Sequence, residues 1–208
     1  MKAYAGIGSR ETPLEICTAM GAIAIRLAGA GFLLRSGGAD GADKAFGDVA
    51  REFDLPRQIY LPWRGFNEVT DEHALDYAKL SGAKAAWAIA ERFYPRWNSP
   101  APETVGADLK KKLMARRKLM ARNVMQVLGD DCDSPARFVI CWATGSKFDK
   151  DGRIKDADGG TGQAVRIAYA YRINVYNLAV PDHAERLAHF IGDPNADWLP
   201  RTTRALIG

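Results

Sequence analysis

The chain has 208 residues, of which 47% are hydrophobic and 26% charged, with a formal net charge of +4. This is ordinary globular composition, sufficient for one substantial core, and we expect a single domain over 1–208 carrying a helical and loop insertion over 64–136. The absence of any run of about 18 apolar residues excludes a membrane-spanning helix.

Lys2 to Gly8 reads as a buried strand, and the start Met1-Lys2-Ala3-Tyr4-Ala5 runs straight into it without a leader, which predicts a cytosolic protein. Thr12-Pro13-Leu14-Glu15 then carries a helix start: Thr12 as cap, Pro13 in the first helical position and Glu15 closing a capping box. Ile16, Met20, Ile23 and Leu27 form its apolar stripe, and Gly29 and Gly31 end it. Phe32–Arg35 is a second strand, Gly41–Phe53 a helix, and Gln58–Leu61 a third strand closed by Pro62-Trp63. The order strand, helix, strand, helix, strand is that of a parallel sheet with right-handed crossovers. The period then breaks. Asp71–Ile89 is predicted helical, and the proline- and aromatic-rich stretch from Phe93 to Val105 an ordered loop. A basic helix follows from about Ala107 to Leu128, then a fourth strand at Phe138–Trp142 and a polar excursion over Ala143–Asp158. A helix over Thr161–Tyr171, a fifth strand at Asn174–Leu178, a helix over Pro181–Ile191 and a tail to Gly208 complete the chain. The expected fold is α/β, a Rossmann-like doubly wound sheet of about five mainly parallel strands.

Three glycine-rich turns each follow a strand and open a helix. Such turns present free backbone N–H groups at the positive end of a helix dipole, which suits a phosphate, and on one parallel sheet they share an edge. The first contains Gly6 and Gly8, followed by a hydroxyl, a cation and a carboxylate in Ser9, Arg10 and Glu11. The second, Ser36-Gly37-Gly38-Ala39-Asp40-Gly41-Ala42-Asp43, has glycines that admit close approach to the backbone and a serine able to donate to phosphate. Asp40 and Asp43 have three readings there: helix caps, partners for a sugar hydroxyl, or groups that repel misplaced phosphate. The third places Thr161 and Gln163 beside Gly159, Gly160 and Gly162, with Arg166 one turn inside, facing ligand or solvent.

The basic helix carries Lys110, Lys111, Lys112, Arg116, Arg117, Lys118 and Arg122 against one acid, Asp108. It is either an electrostatic footprint for phosphates or a solvated face. His73, His183 and His189 are isolated and read as surface or structural residues. Phe148 to Gly160 contains several aspartates and slightly resembles a calcium loop, but it lacks the closing glutamate. A polar hairpin lying as a lid over the third turn is the better reading. Trp63, Phe93, Tyr94, Trp97 and Trp142 are either core residues or platforms for a base. Cys17, Cys132 and Cys141 show no metal-ligand spacing and read as reduced thiols, with Cys17 and Cys141 buried. No metal or cofactor is expected.

These turns, in this order, resemble the SLOG superfamily of nucleotide-binding proteins, which includes DNA-processing protein A (DprA) and the "lonely guy" (LOG) nucleotide hydrolases. Ser36–Asp43 is similar to the second turn of DprA proteins and Gly159–Ala164 to the third turn of LOG enzymes. Tyr94–Trp97, Ala121–Gly129 and Gly159–Ala168 are similar to a phage-type and bacterial subgroup, and the likeness covers most of Ala3–Leu178. The resemblance implies binding of a nucleotide or nucleotide derivative through phosphate, with or without hydrolysis of the N-glycosidic bond of a nucleoside monophosphate. LOG enzymes use a glutamate that here falls on Arg166, so Glu11 is the candidate replacement carboxylate. Arg117 and Arg122 are the candidates for the catalytic arginine, Arg122 the favoured one, with Asn123 beside it in the binding set. The DprA likeness implies single-stranded DNA binding through the basic helix, and a third reading is sequestration of a signalling nucleotide without turnover. A homo-oligomer is also implied.

Overall fold

A computed structural model describes residues 1–192; the expected tail to Gly208 lies outside the described residues. Six strands form one sheet: β1 (Lys2–Gly6), β2 (Phe32–Ser36), β3 (Arg57–Leu61), β4 (Ala74–Asp76), β5 (Phe138–Cys141) and, after a separate hairpin of β6 (Lys147–Phe148) and β7 (Ile154–Asp156), β8 (Asn174–Asn177). Their spatial order is β4-β3-β2-β1-β5-β8, and every pair is parallel. Helices cover both faces, which makes this a Rossmann-like doubly wound sheet.

Alternation along the strands builds two cores. Tyr4, Leu34, Phe138, Ile140 and Tyr176 face α1 (Leu14–Gly29), α2 (Ala42–Glu52) and α6 (Pro181–Phe190). Phe138 lies at the centre of that layer, stacked on Tyr4 and met edge-on by Tyr176 and Phe190. Ala5, Tyr60, Val139, Cys141 and Val175 face α3 (Ala83–Phe93), α4 (Ala107–Leu128) and α5 (Gly159–Ala170). Both sides of the central strands are therefore dry, as their near-continuous apolar runs require. Among the described residues no helix is long and apolar enough to cross a membrane.

Three local expectations need correction. Asp71 does not open a helix. Its carboxylate accepts the His73 N–H at 2.8 Å and the Arg57 guanidinium at 2.8 Å, and its carbonyl accepts the Ala74 N–H. This pinned turn sends Ala74–Asp76 alongside Ile59–Leu61 as a sixth strand; a single 3₁₀ turn follows at Tyr77–Lys79, and α-helix begins only at Ala83. The capping box at Thr12 does not form either. Pro13, extended at φ −56° and ψ 145°, occupies the cap position, and the Thr12 hydroxyl donates to the Ser9 carbonyl at 2.7 Å. Cys17 is partly exposed rather than buried, whereas Cys132 and Cys141 are buried.

The proline-rich segment after α3 is irregular apart from a short 3₁₀ turn at Pro102–Thr104. It is held by the basic helix itself. Arg116 donates to the carbonyls of Arg96 and Ser99, and Arg117 to the Trp97 carbonyl and the Asn98 side chain. Each guanidinium also lies over a ring of that loop, Arg116 over Tyr94 and Arg117 over Trp97.

Candidate functional site: a cleft at the β1/β5 switch point

The sheet winds outward in both directions from β1 and β5, so their C-terminal ends diverge and leave a crevice, the usual ligand position in open α/β sheets. A cleft of about 450 Å³ occupies it. Its walls are the chain leaving β1 (Ile7–Glu11), the start of α2 (Ala39, Asp43), the middle of α4 (Leu119–Gln126), the chain leaving β5 (Ala143, Thr144) and the start of α5 (Asp158–Thr161).

The first two glycine turns are packed against each other. The Ser9 carbonyl accepts N–H bonds from Thr12 and from Ala42, the first residue of α2, while the Ser9 N–H donates to Trp142. A Cβ on Gly41 would overlap the Ser9 carbonyl, and one on Gly8 would press on Ala42 and Trp142. The positive end of α2 is thus already supplied with an acceptor from the protein. Ser36 is fully buried, and its hydroxyl donates to the Gly6 carbonyl at 2.8 Å, so it serves the fold rather than a phosphate.

Gly37 and Asp43 receive α4. Arg122, 3% exposed, donates through Nη1 to Asp43 at 2.8 Å and to Gln126 at 2.9 Å. The close approach that Gly37 permits is this guanidinium, since a Cβ there would overlap it. Arg122 also lies over the Phe66 ring, and its Nε is buried without a partner. Burial raises the Asp43 pKa above the usual carboxylate range, against the lowering effect of Arg122 and of the Ala39 N–H.

The third turn differs. Asp158 immediately precedes α5, and its carbonyl accepts the Gly162 N–H, the first bond of the helix. The N–H groups of Gly159, Gly160 and Thr161 lie before that bond, and Gly159 and Gly160 are exposed at the cleft. Asp158 also accepts the Thr144 hydroxyl at 3.0 Å. Of the three helix starts, α5 is the one whose dipole opens onto the cleft.

The crevice therefore gathers Gly8, Ser9, Arg10, Glu11, Ala39, Asp43, Arg122, Asn123, Gly159, Gly160 and Thr161. Gly6, Ser36, Gly37, Gly41, Gly162 and Gln163 lie behind it as packing and hydrogen-bonding residues; Gln163 is fully buried, bonded to the Met120 carbonyl and to Asn123. Gly38 and Asp40 line a small separate hollow of about 80 Å³ beside α2. Arg166 faces neither ligand nor open solvent: it is bound to Asp156 and to the Phe93 carbonyl. None of the five aromatic candidates lines the cleft, and Trp97 is buried edge-on against Trp87.

Gln126, Thr144 and Asp158 are cleft residues that reasoning on the sequence did not single out. Gln126 had one signal, its position four residues after Arg122 on one helix face. The aspartate-rich stretch is the β6–β7 hairpin, closed on itself through Asp149, which accepts the N–H groups of Asp151 and Arg153. The Tyr169 hydroxyl ties Asp149 to α5. The one group of potential metal ligands among the described residues, Asp54, Glu72 and His73, is exposed and does not line the cleft, and Arg57 pairs with Asp54 and Glu72.

No protein-family model, curated protein or solved structure matches the chain.

Proposed function

We propose that the cleft binds a nucleotide or nucleotide derivative through its phosphate. The observation that carries this reading is the start of α5, where three consecutive N–H groups without an intrahelical acceptor meet a crevice of nucleotide size, with Arg10 at its mouth and Arg122 in its wall. The SLOG-like turns support the same class of ligand. Glu11 and Asp158 are the exposed carboxylates of the cleft. They suit sugar hydroxyls, and hydrolysis of the N-glycosidic bond of a nucleoside monophosphate would draw on one of them as base or charge stabiliser.

Nucleoside monophosphates at 100 times their dissociation constant are expected to stabilise the protein by about 2.7 kcal/mol, and the parent nucleosides far less. Gly160→Asp discriminates further. A Cβ there meets only the end of the Met120 side chain, and a carboxylate at a helix start favours the helix. The variant should fold normally and lose the phosphate-dependent shift. A panel of nucleotides that produces no thermal shift overturns the reading. Release of free base, lost in Glu11→Gln or Asp158→Asn, would identify a hydrolase; tight binding without release would identify sequestration.

A second reading, binding of single-stranded DNA, rests on Lys110, Lys111 and Lys112, which are exposed on the first turns of α4. Arg116 and Arg117 are engaged by the loop carbonyls, which shortens the basic stripe. That reading requires oligonucleotide affinity that falls steeply with salt.

A further inference from the structure

The wall of the cleft formed by Ala143 and Thr144 lies beyond regular strand pairing. β5 and β8 pair from Phe138 with Asn174 to Cys141 with Asn177, and the last backbone bond runs from the Leu178 N–H to the Cys141 carbonyl at 2.8 Å. Past that point the Asn177 side chain takes over from the backbone. Its Nδ2 donates to the Ala143 carbonyl at 2.8 Å, and its Oδ1 accepts the Ala143 N–H at 3.0 Å. One side-chain amide thus satisfies both main-chain groups of Ala143, as a neighbouring strand would. The amide's other positions are filled too, by Ser146 Oγ at 2.9 Å and the Ala179 N–H at 3.2 Å. The Asn177 N–H donates to His183 Nδ1 at 3.1 Å, and the residue is fully buried.

From Ala143 the connection continues covalently to Thr144, which grips Asp158 at two points. The Thr144 carbonyl accepts the Asp158 N–H at 2.9 Å, and its hydroxyl donates to the Asp158 carboxylate at 3.0 Å. Gly145, at φ 64°, allows the approach, because a Cβ there would overlap that carboxylate. Asp158 in turn receives the first bond of α5. The direction of the Gly159, Gly160 and Thr161 N–H groups therefore follows from where Asp158 is held.

We propose that Asn177, which does not line the cleft, is its positioning residue: by clamping Ala143 it fixes Thr144 and Asp158 and so aims the start of α5 at the bound anion. The inference rests on the reading of α5 as the phosphate-holding element. A site held to such tolerance loses affinity when its supports loosen, without losing any group that touches ligand.

The test measures hydrogen exchange and affinity for adenosine 5′-monophosphate in the wild type, Asn177→Ala and Thr144→Val. Asn177→Ala is expected to speed exchange of the two hydrogen-bonded amides of this start, Asp158 and Gly162, while β1 and β2 stay protected, and to weaken the nucleotide by about tenfold or more. Thr144→Val, at an exposed position, should give a smaller change of the same kind with an unchanged melting temperature. Wild-type exchange of the Asp158 and Gly162 amides and wild-type affinity in a folded Asn177→Ala protein overturn the proposal. If that variant does not fold, wild-type exchange of the Asp158 and Gly162 amides in Thr144→Val overturns it. If the wild type itself binds no nucleotide, the phosphate reading falls, and the exchange arm alone still decides the role of Asn177.

Discussion

Arg122 reaches the edge of the sheet because residue 37 has no side chain, and it stays there because Asp43 and Gln126 take its Nη1. The pair is costly to break, since removing one charge leaves the other buried. Asp43→Ala should cost about 3–5 kcal/mol, read as a fall in the urea midpoint, while Asp43→Ala with Arg122→Met should recover most of it. Gly37→Ala should destabilise by displacing the guanidinium and the Asp43 carboxylate, and should cost less in the Asp43→Ala, Arg122→Met protein, where both are gone. At this scale the sequence was half legible. A close approach at Gly37-Gly38 was expected, and at Gly37 one occurs. What approaches is a side chain 79 residues downstream of Asp43, a partner that no local pattern reveals. Ser36 was misread for the same reason: its acceptor, the Gly6 carbonyl, lies on a neighbouring strand.

Among elements, α6 shows how a helix start is held without a side-chain cap. His183, buried in its first turn, accepts the Asn177 N–H through Nδ1 and is met edge-on by Phe148. Burial lowers its pKa below the ordinary histidine value, Arg186 lowers it further, and Asp182 opposes them. The neutral ring is the form that fits. Its contribution is complete above the unfolded pKa of about 6.5 and is lost as the pH falls through the lower folded value. Thermal melts should show stability dropping below that pH, and His183→Gln should flatten that part of the profile. Most elements could be read from apolar period and punctuation; α1 buries the stripe of Ile16, Met20, Ile23 and Leu27 and ends at Gly29. β4 could not. Its three residues are defined by pairing with β3 and by the Asp71–Arg57 anchor, both tertiary. Pro13 overrode a capping box that the local residues spell out correctly.

Across the whole molecule, the two layers seal the sheet so well that its thiols report on global opening. Burial pushes the Cys132 thiol up to about 11 and the Cys141 thiol to about 12, and Cys141 lies in a central strand. At mildly alkaline pH only the partly exposed Cys17 should react with a small alkylating agent in the folded protein. Cys141 should be modified at the rate of global unfolding, and fast labelling without denaturant would contradict the packing. The sealing also has a consequence for synthesis. The first three strands with α1 and α2 leave the ribosome as a contiguous unit, yet the sheet face bearing Ala5 and Tyr60 is covered by helices that follow much later. Even the other face lacks α6 until β8 has been made. A nascent β1–α1–β2–α2–β3 segment therefore keeps one apolar side bare until α3, α4 and α5 are made, a form open to aggregation.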